Sequence, residues 1–230
     1  MPQSWITALG RYSYPVTLPD YKRGDEFPGF FTQDIPGDRA STIEFEDYFR
    51  AKSNHCIEPY FEVLYWVLCG QSRRFQRTVN RIVDHVLDER IPPAQLRSAI
   101  DDIVETPTRD TVSELRHLLG ISAEVLTVAL TFPAFVEPTR YPMVDTKAAD
   151  WITANHLPHN RNSTVRLTPF RFGYTSLRYN DFDNYLNWVH WCRESAGILT
   201  DRTGMEWRAR DVEMAVFAAA RQGLSLNPLP

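Results

Sequence analysis

The sequence predicts an all-α fold on three observations. Apolar residues recur at i, i+3, i+4 and i+7 in one segment after another, Pro and Gly separate those segments, and no run alternates apolar and polar residues between hairpin turns. At 230 residues and 43% apolar the chain can bury a sizeable core, as one globular domain or as two small lobes sharing one. No repeat of solenoid period runs through it.

Residues 1–40 are rich in Pro, Gly, Asp and aromatics and show no sustained period. They read as an irregular arm packed on a core by Tyr12, Tyr14, Phe27, Phe30 and Phe31. Residues 41–230 read as a helical domain. Phe61, Leu64, Tyr65 and Leu68 mark a first helix after Pro59, a residue suited to a first turn, and Gly70 interrupts it. Phe75, Val79, Ile82, Val83 and Val86 mark a second, up to the Pro92–Pro93 break. A third carries Leu96, Ile100 and Ile103. A fourth carries Val112, Leu115 and Leu119 and ends at Gly120. Ser122 can cap a fifth through Val125, Val128, Ala129 and Phe132, with Pro133 as its stop. Asp145 stands at the start of a sixth, where the helix dipole favours a carboxylate. Two more follow, one with Phe182, Tyr185, Leu186 and Val189, the other with Val212, Ala215, Val216 and Ala219.

Composition narrows the function. The chain is too apolar and aromatic for disorder. It has no apolar run of about 18 residues and no leader with a basic start and apolar middle, so a cytoplasmic protein without membrane contact is expected. Cys56, Cys69 and Cys192 are too scattered for a disulfide framework or a C-x-x-C metal site and read as buried thiols. The six histidines show no metal spacing, and His156 and His159, beside Pro158, read as loop residues. Neither G-x-S-x-G nor a Walker phosphate loop is present.

With a net charge of −4, attraction to nucleic acid has to come from local patches. Arg73, Arg74, Arg77 and Arg81 cluster at one helix start. The stretch from Leu157 to Asn180 holds Arg161, Arg166, Arg171 and Arg178 without a single Asp or Glu. Either group also suits ordinary solvated surface.

The segment with most chemical content is LLGISAEVLTVALTF followed by RYPMVDTKAADWI, Leu118 to Ile152. A turn at Gly120-Ile121-Ser122 between two helices can present backbone N–H groups to a phosphate, with a carboxylate, Asp145, following. Taken separately, Gly120 also suits any helix–helix turn and Asp145 any helix cap.

Three segments in order, WVLCGQSRRF, LLGISAEVLTVAL and PMVDTKAADWI, resemble the helix-hairpin-helix DNA glycosylases related to endonuclease III and 3-methyladenine glycosylase II. The ending WRARDVEMAVFAAAR resembles that of an uncharacterised bacterial branch of that superfamily. The resemblance implies a two-lobed helical fold, duplex DNA as partner, and base excision through eversion of a damaged or mismatched base. It implies Asp145 as the catalytic carboxylate, Leu119, Gly120, Ile121 and Ser122 as the backbone phosphate grip, Gln71 as a residue entering the duplex, and Arg73, Arg74 and Arg77 as phosphate contacts. Trp66, Trp151 and the aromatic YNDFDNYLNWVHW are its candidates for a base pocket, or for core. Glu124 occupies the position of the lysine nucleophile of bifunctional members, which implies a monofunctional enzyme. The cluster-binding cysteines are absent, so no iron–sulfur cluster and no other cofactor is expected. The alternative is the same fold without catalysis, serving as a DNA-binding or protein-interaction module, to which the acidic net charge, Glu124 and Ser122 are suited.

Overall fold

The computed structural model describes residues 2–14, 37–69, 75–121, 126–161, 163–169, 172–173, 176–177 and 181–229. Among these the chain is overwhelmingly helical. The helices are α1 (Gln3–Gly10), α2 (Arg39–Lys52), α3 (Glu58–Cys69), α4 (Gln76–Asp88), α5 (Pro93–Glu105), α6 (Arg109–Leu118), α7 (Thr127–Val136), α8 (Thr146–His159), α9 (Phe182–Thr203) and α10 (Ala209–Gln222). One small antiparallel ladder, Phe172–Gly173 with Ser176–Leu177, interrupts the pattern. The chain divides into two units, residues 13–123 and residues 1–12 with 124–230.

In the 13–123 unit α3 forms the centre. Every residue from Pro59 to Trp66 is buried, so this helix presents an inward face all round, as a core helix does. Tyr60 lies within hydrogen-bonding distance of the Ser53 and Pro93 carbonyls, at 3.0 and 3.1 Å. Pro93 opens α5 at a position where a missing N–H costs nothing. α5 packs on α6 through Leu96, Ile100 and Ile103 on one side and Val112 and Leu115 on the other. Tyr14 packs on Trp66 at 4.6 Å between ring centroids and donates its hydroxyl to the Val67 carbonyl.

In the other unit α10 is central and packs against α1, α8 and α9. Its residues 209–219 are all buried, including Arg210, Asp211 and Glu213. A strap of residues 163–169 runs antiparallel to α9, since Thr164 bonds to Glu194, Thr168 to Asn187 and Pro169 to Asn184.

Three sequence expectations are corrected, and one open alternative, for Trp66 and Trp151, falls to the core. Residues 3–10 are a helix rather than part of an irregular arm. Trp5, Ala8 and Leu9 form a short apolar stripe that α10 buries, and the Trp5 indole donates to the Asn227 carbonyl at 2.8 Å. Pro133 does not stop α7, which continues to Val136. Its residues 128–136 are all buried, and this tertiary packing outweighs the one hydrogen bond that proline removes. α7 is described from Thr127, after Leu126, and the expected Ser122 cap and Val125 lie outside the described residues. His156 and His159 belong to the last turn of α8, not to a loop, with Pro158 inside that turn. Trp66 and Trp151 are buried core rather than pocket lining, at 0% and 5% exposure.

Candidate functional site at the start of α8

The segment before α8 is locked from both sides. The carbonyls of Pro138 and Thr139 accept the N–H groups of Arg210 and Ala209, so this segment supplies acceptors for the first turn of α10. Tyr141, Pro142, Met143 and Val144 are buried, and the indole of Trp188 on α9 donates to the Met143 carbonyl at 2.9 Å. Asp145 follows directly. Its backbone is extended, and its side chain accepts from the Ala148 N–H at 2.7 Å, the cap that opens α8. This part of the sequence reading holds.

Asp145 is half-buried as a residue, yet its carboxyl lies deep enough that burial pushes its pKa up. The Ala148 and Lys147 N–H groups and the charges of Arg210 and Lys147 work in the other direction and do not cancel the effect. Arg210, 1% exposed, forms an ion pair with Glu213, and Arg208 pairs with Asp211 at 3.0 Å. These charges are not among the residues that the sequence singles out. Their signal is RARDVEMA, charged residues within a helix otherwise built of small and apolar ones.

Gly120 ends α6, as the sequence predicts. Gly120 has φ +61°, its N–H bonds to the His117 carbonyl at 3.0 Å, and the Ile121 N–H bonds to the Arg116 carbonyl at 2.9 Å. These two bonds make a Schellman closure of α6. The Leu119 N–H bonds to Leu115. The backbone donors of Leu119, Gly120 and Ile121 are therefore engaged inside the protein, and Leu119 and Ile121 bury their side chains, whereas the start of the following helix, where the expected phosphate grip presents its donors, lies outside the described residues. Ser122 and Glu124 lie outside the described residues, as do Gln71, Arg73 and Arg74. Arg77 is exposed on the first turn of α4. It stands near the positive end of that helix's dipole, a place where an arginine gains from an anionic partner.

Another buried titratable group of the 1–12 and 124–230 unit is His159. It sits among Trp5, Trp151 and Trp191 at ring-centroid distances of 6.1, 4.8 and 5.9 Å. Burial pushes its pKa down to about 4, against a hydrogen bond with the Leu226 backbone. Among the described residues no group of three or more His, Cys, Asp or Glu is placed to hold a metal ion. No described helix is long and apolar enough to cross a membrane. Compared with protein-family models, with characterised proteins and with solved structures, the chain has no significant match.

Proposed function

We propose that the chain is a monofunctional DNA glycosylase of helix-hairpin-helix type, with Asp145 as its working carboxylate. The observation that carries this reading is Asp145 itself. It combines the end of a rigidly anchored segment, the N-terminus of α8 and a position where ionisation is disfavoured by burial. A protein that needs only a cap gains nothing from burying it, because Asn or Ser caps as well without the charge. Perturbed carboxylates of this kind are characteristic of catalytic positions.

Cleaving an N-glycosidic bond builds positive charge on the sugar. A fixed carboxylate shielded from water stabilises that charge and orients the attacking water, and water rather than an amine is the acceptor in a monofunctional enzyme. Exposed Arg77 supports a phosphate contact.

The non-catalytic reading also has a specific observation in its favour. The Leu119, Gly120 and Ile121 N–H groups are taken up in closing α6, so these three donors are not offered to a phosphate. Single-turnover release of alkylated, oxidised, deaminated and mismatched bases from duplex oligonucleotides, with wild type beside Asp145→Asn, decides between the two. Asparagine keeps the cap and removes the charge. Release that falls by about 10²- to 10³-fold in the variant supports the enzyme. Release that is equal in both rejects Asp145, and salt-sensitive DNA binding without any release leaves the binding module.

A further inference from the structure

The linker between α8 and α9 carries arginines that neither the fold nor the proposed site employs. Arg161 and Arg166 are both exposed, within the stretch from Leu157 to Asn180 that holds no Asp or Glu. The intervening loop keeps them together. Asn160 closes it, donating from Nδ2 to the Leu167 carbonyl at 2.9 Å and accepting the Leu167 N–H on Oδ1 at 2.7 Å. Arg161 and Arg166 are the residues immediately inside that closure.

The tip of the loop is fastened as well. Glu194 of α9 accepts from the Ser163 hydroxyl, from the Thr164 hydroxyl at 2.6 Å and from the Thr164 N–H at 3.2 Å. Burial acts to raise the pKa of Glu194, but these hydrogen bonds prevail and hold it below the usual carboxylate range. Its oxygens are thus engaged by neutral donors. Among the described residues neither arginine has an ion-pair partner. Two exposed guanidinium groups on one pinched loop, without an ion pair among the described residues, suit a ligand with closely spaced negative charges, and their planar forks suit phosphate oxygens.

Leu157, four residues before Arg161, is 72% exposed, while Trp151 and Ile152 of the same helix are buried. One exposed leucine falls far short of the apolar face that holds an interfacial helix on a lipid surface. It is suited instead to contact with sugars or a groove wall beside phosphate-binding arginines.

We infer that the loop closed by Asn160 and Leu167, together with Leu157, is a contact surface for the phosphate backbone of duplex DNA. Arg161 and Arg166 each engage a phosphate and Leu157 lies against the groove. This rests on duplex DNA being the partner in the proposed function, and is independent of whether Asp145 is catalytic.

The test is fluorescence anisotropy of a labelled mixed-sequence duplex over a sodium chloride series, with wild type, Arg161→Ala/Arg166→Ala, Arg161→Lys/Arg166→Lys and Leu157→Ala. All three positions are exposed, and unchanged circular dichroism confirms that each variant folds. The double alanine variant is expected to bind more weakly and to flatten the slope of log K against log salt by about 1.8, the loss of two phosphate contacts. The double lysine variant keeps most of the slope, and Leu157→Ala weakens binding without changing it. An unchanged slope in the double alanine variant overturns the surface and leaves the glycosylase reading standing. A wild-type protein that binds no duplex at low salt, or binds phosphatidylserine vesicles in its place, also overturns it. Arginine-dependent binding without release of any base supports the surface and rejects the enzymatic reading alone.

Discussion

Asp38 and Asp145 open their helices in the same way and meet opposite electrostatic outcomes. Asp38 caps α2 by accepting the Ser41 N–H at 2.8 Å, with the Ser41 hydroxyl returning the bond to the Asp38 backbone. Its pKa is lowered, first by the Ser41 backbone hydrogen bond and then by the Ser41 hydroxyl, with almost no burial to oppose them. Asp145 accepts from Ala148 at 2.7 Å, an equally short bond, yet burial prevails and its pKa is raised. A cap hydrogen bond therefore does not determine whether a carboxylate is comfortable in its charged form. Its surroundings do. Burial decides for His159 as well, which tryptophans enclose and whose pKa it pushes down.

The largest expected effect on stability belongs to His159. Its folded-state pKa of about 4 lies below the ordinary value of 6.5, so the unfolded chain binds the extra proton first. Stability is complete above pH 6.5 and falls as pH drops towards 4, by up to about 3 kcal/mol. Urea unfolding across that window should show the loss in wild type and a flatter profile in His159→Phe. Equal slopes would mean that the histidine is not kept neutral by its enclosure.

Gly120→Ala is expected to cost about 2–3 kcal/mol. A side chain at φ +61° is strained, and the added Cβ would lie 2.6 Å from the His85 ring. Combining it with His85→Ala separates the two causes. The double variant should recover the steric part and retain the backbone part, and strict additivity of the two single variants would exclude the clash.

The smallest effect returns to the two caps. Asp38→Ala should lose about 1 kcal/mol at neutral pH, the ordinary cost of removing a cap. Asp38 has a lowered pKa, so its contribution is present above the normal carboxylate range and fades on acidification. Asp145 has a raised pKa, so its ionised form is the costly one and stability falls as pH rises through the window between its ordinary and folded values. Asp145→Asn, which keeps the cap, should therefore raise the melting temperature at neutral pH. A lower melting temperature would mean that attraction from Arg210 and Lys147 outweighs burial.

Much of the helical architecture follows from local chemistry, and local chemistry is what a sequence displays. Pro59 in the first turn of α3, Gly120 closing α6 and Asp145 capping α8 each depend on a few neighbouring residues, so all three were legible. What the same residues do beyond their own turn was not. Gly120 marks a turn in any setting, but only the structure shows the Arg116 and His117 carbonyls taking the Ile121 and Gly120 N–H groups. Pro133 reads as a stop, yet burial on every side carries α7 through it. The stripe of α1 is too short to stand on its own and becomes a helix against α10. The sequence by itself determined several helix ends, the start of α3 at Pro59, the close of α6 at Gly120 and the start of α8 at Asp145, because capping and backbone preference act over a turn. The tertiary structure alone decided which aspartate is buried, that His159 stays neutral and which of the described arginines remain unpaired, because desolvation and charge pairing depend on groups far apart in the chain.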